Sequence, residues 1–156
     1  MRLVIQRIKD ILTAELSSLP TLVKLIDCRP NGWIIKNMNA RNYPAIFIWP
    51  ARDNISESQM PNVAAQSMKI TITCLHHSSD PSYAAFNEDK GVFALNEAVL
   101  TVLAKNKKLK ISGKPDVNVR GMRLPIDTQY VEREDGTTFV IGSVAMVEFF
   151  NHDVPW

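Results

Sequence analysis

The run from Leu124 to Phe150 constrains the fold more than any other part of the chain. Leu124 to Val131 leads into the polar turn Glu132-Arg133-Glu134-Asp135-Gly136, and Thr137 to Phe150 leads back out. Both arms are rich in β-branched and aromatic residues, and Asp135-Gly136 supplies the residue types that tolerate positive φ in a tight turn, so the run predicts a β-hairpin. Its return arm is apolar on both parities. Phe139, Ile141, Ala145, Val147 and Phe149 alternate with Val140, Val144, Met146 and Phe150, and only Ser143 and Glu148 interrupt. A strand that is apolar on both sides has to be covered on both sides. At about 3.3 Å per residue it also reaches on the order of 40 Å, longer than a usual strand. Part of it is therefore expected to leave the core and meet another chain.

The remaining 129 or so positions must supply the cover, and they suffice: 156 residues, 46% hydrophobic and 22% charged, allow one domain with a sizeable core. A single domain over 1–156 is expected. No apolar run approaches the roughly 18 residues of a membrane span, and Arg2 and Arg7 interrupt any signal-peptide core. A soluble chain without membrane partners follows. Cys28 and Cys74 lie far apart and outside any C-x-x-C spacing, which suggests neither a disulfide framework nor a zinc site and fits a reducing cytoplasm.

Arg2 to Leu19 reads as an amphipathic helix, with Val4, Ile5, Ile8, Ile11, Leu12, Leu16 and Leu19 inside an arc of about 140°. Leu22 to Cys28 is a short apolar run, and Trp33 to Lys36 is expected to pair back on it across the turn Arg29-Pro30-Asn31-Gly32. Tyr43 to Pro50 is a proline-bracketed strand with Ile46 and Ile48 on one face and Phe47 and Trp49 on the other. Ala51 to Asn62 is polar and reads as a long loop, the kind that carries contacts. Ala65 to Leu75 alternates cleanly, placing Met68, Ile70, Ile72 and Cys74 toward a core and Lys69, Thr71 and Thr73 away from it. Asp80-Pro81 has the residues of a helix cap and first turn. The helix behind it buries Leu95, Ala98, Val99, Val102 and Leu103, with Gly91 a point of kinking or splitting and Asn106 at its end. Leu109 to Arg123 is short-strand or loop material. The fold class is thus α+β: a mixed or antiparallel sheet with two main helices packed on it and a long C-terminal hairpin.

Chemistry-bearing patterns are sparse. No G-x-S-x-G, P-loop or G-x-G-x-x-G is present, and Cys74 sits on an apolar stripe where packing explains it better than nucleophilicity. His76, His77 and Asp80, with His152 and Asp153, have the residue types of a metal site. Adjacent strand histidines point to opposite faces, however, so polar strand-end residues are the preferred reading and a metal-dependent hydrolase is remote. Neither catalytic, metal nor cofactor residues are assigned. The net charge is only +2, yet Lys105 to Arg123 holds seven basic residues against one acid, Asp116. Without interleaved aromatics this segment does not read as a specific nucleic-acid site. It suits a solvated helix end or a surface that docks on an acidic face of a neighbouring subunit, for which Asp53, Glu57 and the turn Glu132 to Asp135 are candidates. Unlike patches joined in this way close into a ring when the rotation permits.

The order helix, strands, polar loop, alternating strand, Asp-Pro-capped helix and long terminal hairpin resembles the tail terminator proteins (minor tail protein U-like family) of long-tailed bacteriophages. The resemblance is carried by Tyr43-Pro44-Ala45-Ile46-Phe47-Ile48 with the loop after it, by Gln66 to Thr73 followed by the helix after Asp80, and by the hairpin Ile126 to Phe150 with its acidic tip. It spans about Met1 to Phe150. It is a match of pattern rather than of any diagnostic motif, and the segments Leu22–Lys36 and Asn151–Trp156 look like additions to it. The resemblance implies a non-enzymatic virion protein, assembled in the host cytoplasm and located at the head-proximal end of the tail. A hexameric ring of such subunits caps the tail tube, stops its polymerisation and presents a surface to the head. Its implied partners are further copies of itself, the major tail tube protein and a head completion or connector protein. On exposure and charge, Arg52, Asp53, Glu57 and Gln59 with Glu132, Arg133, Glu134 and Asp135 are expected at the tube or a neighbouring subunit, and Lys105, Lys107, Lys108 and Lys110 at a neighbour or the head. A tail completion or neck protein at the same junction and a non-viral oligomeric module are the alternatives.

Overall fold

The computed structural model describes residues 2–16, 23–30, 40–57, 66–113, 117–123, 129–132 and 138–151, with side chains described at all of these but 40, 51–57, 66–68 and from 120 onward. Helix α1 runs Arg2–Leu16 and buries Val4, Ile8, Ile11, Leu12 and Leu16, the stripe set by the 3.6-residue period. Strand β1, Leu25–Asp27, follows. It pairs in parallel with β2, Ala45–Glu57, Leu25 opposite Ala45 and Asp27 opposite Phe47. The described partner of β1 is thus β2, in parallel; the expected return strand, residues 33–36, lies outside the described residues.

Strand β2 does not stop at Pro50. It continues to Glu57 against β3, Gln66–His77, so residues 51–57, expected in a loop, are strand. The proline is accommodated by a break in register: β2 advances from Pro50 to Ile55 while β3 moves only from Ile70 to Met68. Proline lacks the donor that a ladder position needs, so it occurs in sheets at such irregularities. After β3, the Asp80 carboxylate accepts hydrogen bonds from the amides of Ser82 at 2.9 Å and Tyr83 at 3.3 Å and starts helix α2, Pro81–Phe86. Gly91 then starts α3, Val92–Lys105, so the single helix read from the sequence is split in two. Asn106 ends α3, its side-chain amide donating to the Val102 carbonyl at 2.9 Å.

Strands β4 (Lys108–Leu109), β5 (Val117–Arg123), β6 (Gln129–Glu132) and β7 (Thr138–Asn151) complete the sheet, in the order β1-β2-β3-β7-β5-β4 with β6 also on β7. All pairs except β1–β2 are antiparallel. The fold is α+β, as the periodicities indicate. Strand β7 is central: β3 pairs it from Phe139 to Asn151, while β6 takes its other edge at 138–141 and β5 at 146–150. It is embedded in the sheet rather than projecting from it as a lone arm. Its two apolar parities also have a backbone reason. Thr73 stands opposite Val144 but Cys74 opposite Gly142, so Ser143 is an extra residue on β7. Past this bulge the β7 positions facing the core positions of β3 change from odd (Ala145, Val147) to even (Gly142, Val140).

The core lies between α1, α2 and α3 and one face of the sheet, where Ile46, Ile48, Ile70, Ile72 and Cys74 are fully buried against Ile8, Leu12, Leu95 and Leu103. On the other face Thr73, expected to meet water, is fully buried beside the equally enclosed Phe47 and Leu75, while Trp49 is 42% exposed.

Candidate assembly surfaces

The described strands place the charged candidates by register. Residues Ser56, Ser67, Phe150, Asn118 and Lys108 form one row across the sheet, and Glu57 lies in the next, with Gln66 and Asn151. Glu132 stands opposite Thr138, at the other end of β7. Glu57 and Glu132 are therefore on the order of 40 Å apart along the strands and do not form one acidic face. Arg52 and Asp53 fall on β2 inside its break in register. Gln59, Arg133, Glu134 and Asp135 lie outside the described residues.

The basic candidates do come together. Lys105 ends α3, and Lys107, Lys108 and Lys110 follow along β4, all four exposed. The amide of Val119 donates to the Lys107 carbonyl at 2.8 Å, and Leu109 is fully buried, so the segment is pinned to β5 and projects its lysines outward. Lysines beside a short outer strand also oppose unplanned strand addition.

Two further features lay outside the sequence reading. An open groove of about 510 Å³ is lined by Arg2, Ile5, Gln6, Cys28, Trp49 and Pro50, where the start of α1 passes β2. Beneath α1, Asp27 accepts from Lys9 Nζ at 3.0 Å, Arg29 Nε at 2.7 Å and the Cys28 amide at 2.8 Å. Burial alone would raise the Asp27 pKa; the hydrogen bonds from Arg29, Lys9 and the Cys28 amide outweigh it and hold the carboxyl at about 2. Neither feature has a sequence pattern, because each depends on residues brought together from separate elements.

The described histidines, His76 and His77, are arranged for structure, while His152 and Asp153 lie outside the described residues. His76 Nδ1 accepts from the His77 amide at 2.9 Å, and its ring is 8% exposed and tilted against Tyr83. Burial, then the positive charges of His77, Lys90 and Lys24, push its pKa down to about 4. His77 stacks on Tyr43, and the Asp80 carboxylate is occupied in capping α2. Among the described residues no three His, Cys, Asp or Glu side chains are grouped to hold a metal ion, and no helix is long and apolar enough to cross a membrane.

No protein-family model and no curated protein matches the sequence. Among solved structures, a chain from the virion of a native gene transfer agent particle is similar over 92% of both chains, at 11% identity and a TM-score of 0.45.

Proposed function

We propose that this chain is a structural virion protein of the tail-terminator type, one subunit of a ring that caps a phage-like tail tube and joins it to the head. The observation that supports this is the gathering of Lys105, Lys107, Lys108 and Lys110 at one corner of the sheet, all exposed, in a stretch with no acidic residue from Ala98 to Pro115. A surface of one sign at one end of a subunit suits contact with an unlike surface on the next, and such head-to-tail contacts close into a ring when the rotation between subunits permits. The mechanism needs no bond chemistry. One face of the ring binds the open tube end, and the other offers no template for a further tube subunit. Arg52, Asp53, Glu57 and Gln59, with the turn Glu132 to Asp135, are assigned to the tube or a neighbour, and the lysines to a neighbour or the head.

The test adds the purified chain to polymerising tail-tube protein and measures tube lengths and end occupancy by electron microscopy. Shortened tubes carrying a ring at one end are expected, with Lys108→Glu weakening the effect. Unchanged lengths and bare ends would remove the capping role.

A further inference from the structure

Charge complementary to the lysine corner is exposed on the turn before α3 and on the first half of that helix. We infer that the α2–α3 corner, Phe86 with Glu88, Asp89 and Glu97, is the surface of one subunit that docks on the lysine corner, Lys105 to Lys110, of a second copy. This deepens the ring reading and rests on it, since it names the contact by which unlike ends meet.

Phe86 is 73% exposed and Tyr83, one turn earlier on α2, 46% exposed, so an aromatic pair stands in water on one short helix. Phe86 is held in place by stacking on Phe93 of α3, with ring centroids 5.1 Å apart and an interplanar angle of 29°. Glu88 and Asp89 follow in the turn and are exposed; Glu97, one turn beyond Phe93 on α3, is exposed as well. Lys90 is the one base in the turn, and it is half-buried. The turn is stiff: the Asn87 side chain accepts from the amides of Asp89 at 3.1 Å and Lys90 at 2.9 Å.

Helix-dipole complementarity accounts for an acid near the start of α3 and for Lys105 at its end. It does not account for Phe86 in water, nor for Lys107, Lys108 and Lys110 beyond the helix. Exposed aromatics rimmed by charge are the composition of a contact surface. The fourteen residues of α3 set the turn acids Glu88 and Asp89 roughly 20 Å from Lys105, so the two corners of one copy do not meet, and a contact between them joins two copies. Acid meets base, and the lysine stems cover the Phe86 ring.

The experiment follows the mass of the full chain by sedimentation across concentration at low ionic strength, for wild type, Glu88→Lys/Asp89→Lys, Lys107→Glu/Lys108→Glu, Phe86→Ser, and an equimolar mixture of the two charge-reversed chains. Each single set is expected to weaken association at least about tenfold. The mixture restores it, because alternating chains again match acid to base at every contact. Folding of each variant is read from its circular dichroism. Wild-type association that none of the variants changes would overturn this contact while leaving the ring reading intact. Variants that weaken association without rescue in the mixture would also overturn it, as would a wild-type chain that stays monomeric throughout. In the monomeric case the capping role is decided separately by the tube-end experiment.

Discussion

Lys9 Nζ lies 3.0 Å from Asp27 Oδ1, joining α1 to the three-residue strand β1 across eighteen positions of sequence. Arg29 completes the group at 2.7 Å. Asp27 titrates at about 2 in the folded chain against 3.8 as a free side chain. Its folded pKa is depressed, so its contribution is fully present above pH 3.8 and is lost as pH falls toward 2. Asp27→Asn is expected to cost on the order of 1 kcal/mol near neutral pH, the exposure of Lys9 and Arg29 keeping the figure modest. Urea denaturation of both proteins checks this, with the gap between them closing as pH is lowered through that window.

His76 gives a second pH dependence at higher pH. Its pKa is about 4 in the fold and 6.5 as a free side chain, so between these values the unfolded chain binds a proton that the folded chain refuses. Stability is full above pH 6.5 and falls as pH drops to 4, by on the order of 3 kcal/mol. His76→Asn keeps an acceptor for the His77 amide and removes the titration. The slope of urea midpoint against pH between 6.5 and 4 should flatten in this variant.

The helices and β3 were legible because burial repeats at fixed periods, and Val4, Ile8, Leu12, Ile70 and Ile72 fall where those periods put them. The course of β2 through Pro50 was not, since a proline ends a strand locally while the neighbouring strand can carry it past a break in register. The bulge at Ser143 was hidden for a related reason. One extra residue changes parity downstream but leaves the composition of β7 unaltered, and both parities were apolar already. Among the candidate surfaces, the lysines were found because they are adjacent in sequence. Charge alone groups the acids, and sequence does not say that Glu57 on β2 and Glu132 on β6 stand level with opposite ends of β7. Phe86 carries no signal in the sequence, since the six residues of α2 are too few to show a periodic face.

Gly91 tests the split between α2 and α3. A Cβ there would meet the Asn87 carbonyl oxygen at 2.5 Å, the Ala85 carbonyl oxygen at 2.7 Å and the Asn87 amide nitrogen at 2.7 Å, all of them backbone. Its φ of −65° is open to any residue, so the requirement is space. Gly91→Ala should cost about 2 kcal/mol as the turn shifts. Gly113→Ala is the contrast: φ is +70° with nothing within 4 Å, which predicts a smaller loss of about 1 kcal/mol. Thermal denaturation of the two variants ranks them.

The two thiols should differ in reactivity for the same reason that the core and the groove differ. Cys74 is fully buried on β3, and burial pushes its pKa up to about 12, so neither access nor ionisation favours attack on a disulfide reagent. Cys28 is half-buried in the groove beside Trp49 and Ile5, with its own pKa raised by burial. The native chain is expected to release one equivalent of chromophore, slowly, and the denatured chain two. If a second copy or a tube subunit covers the groove, that single native equivalent is lost on assembly, while Cys28→Ser removes it in every state. Fast reaction of both thiols in the native chain would show that β3 opens to solvent and would contradict the burial of Cys74 in the core.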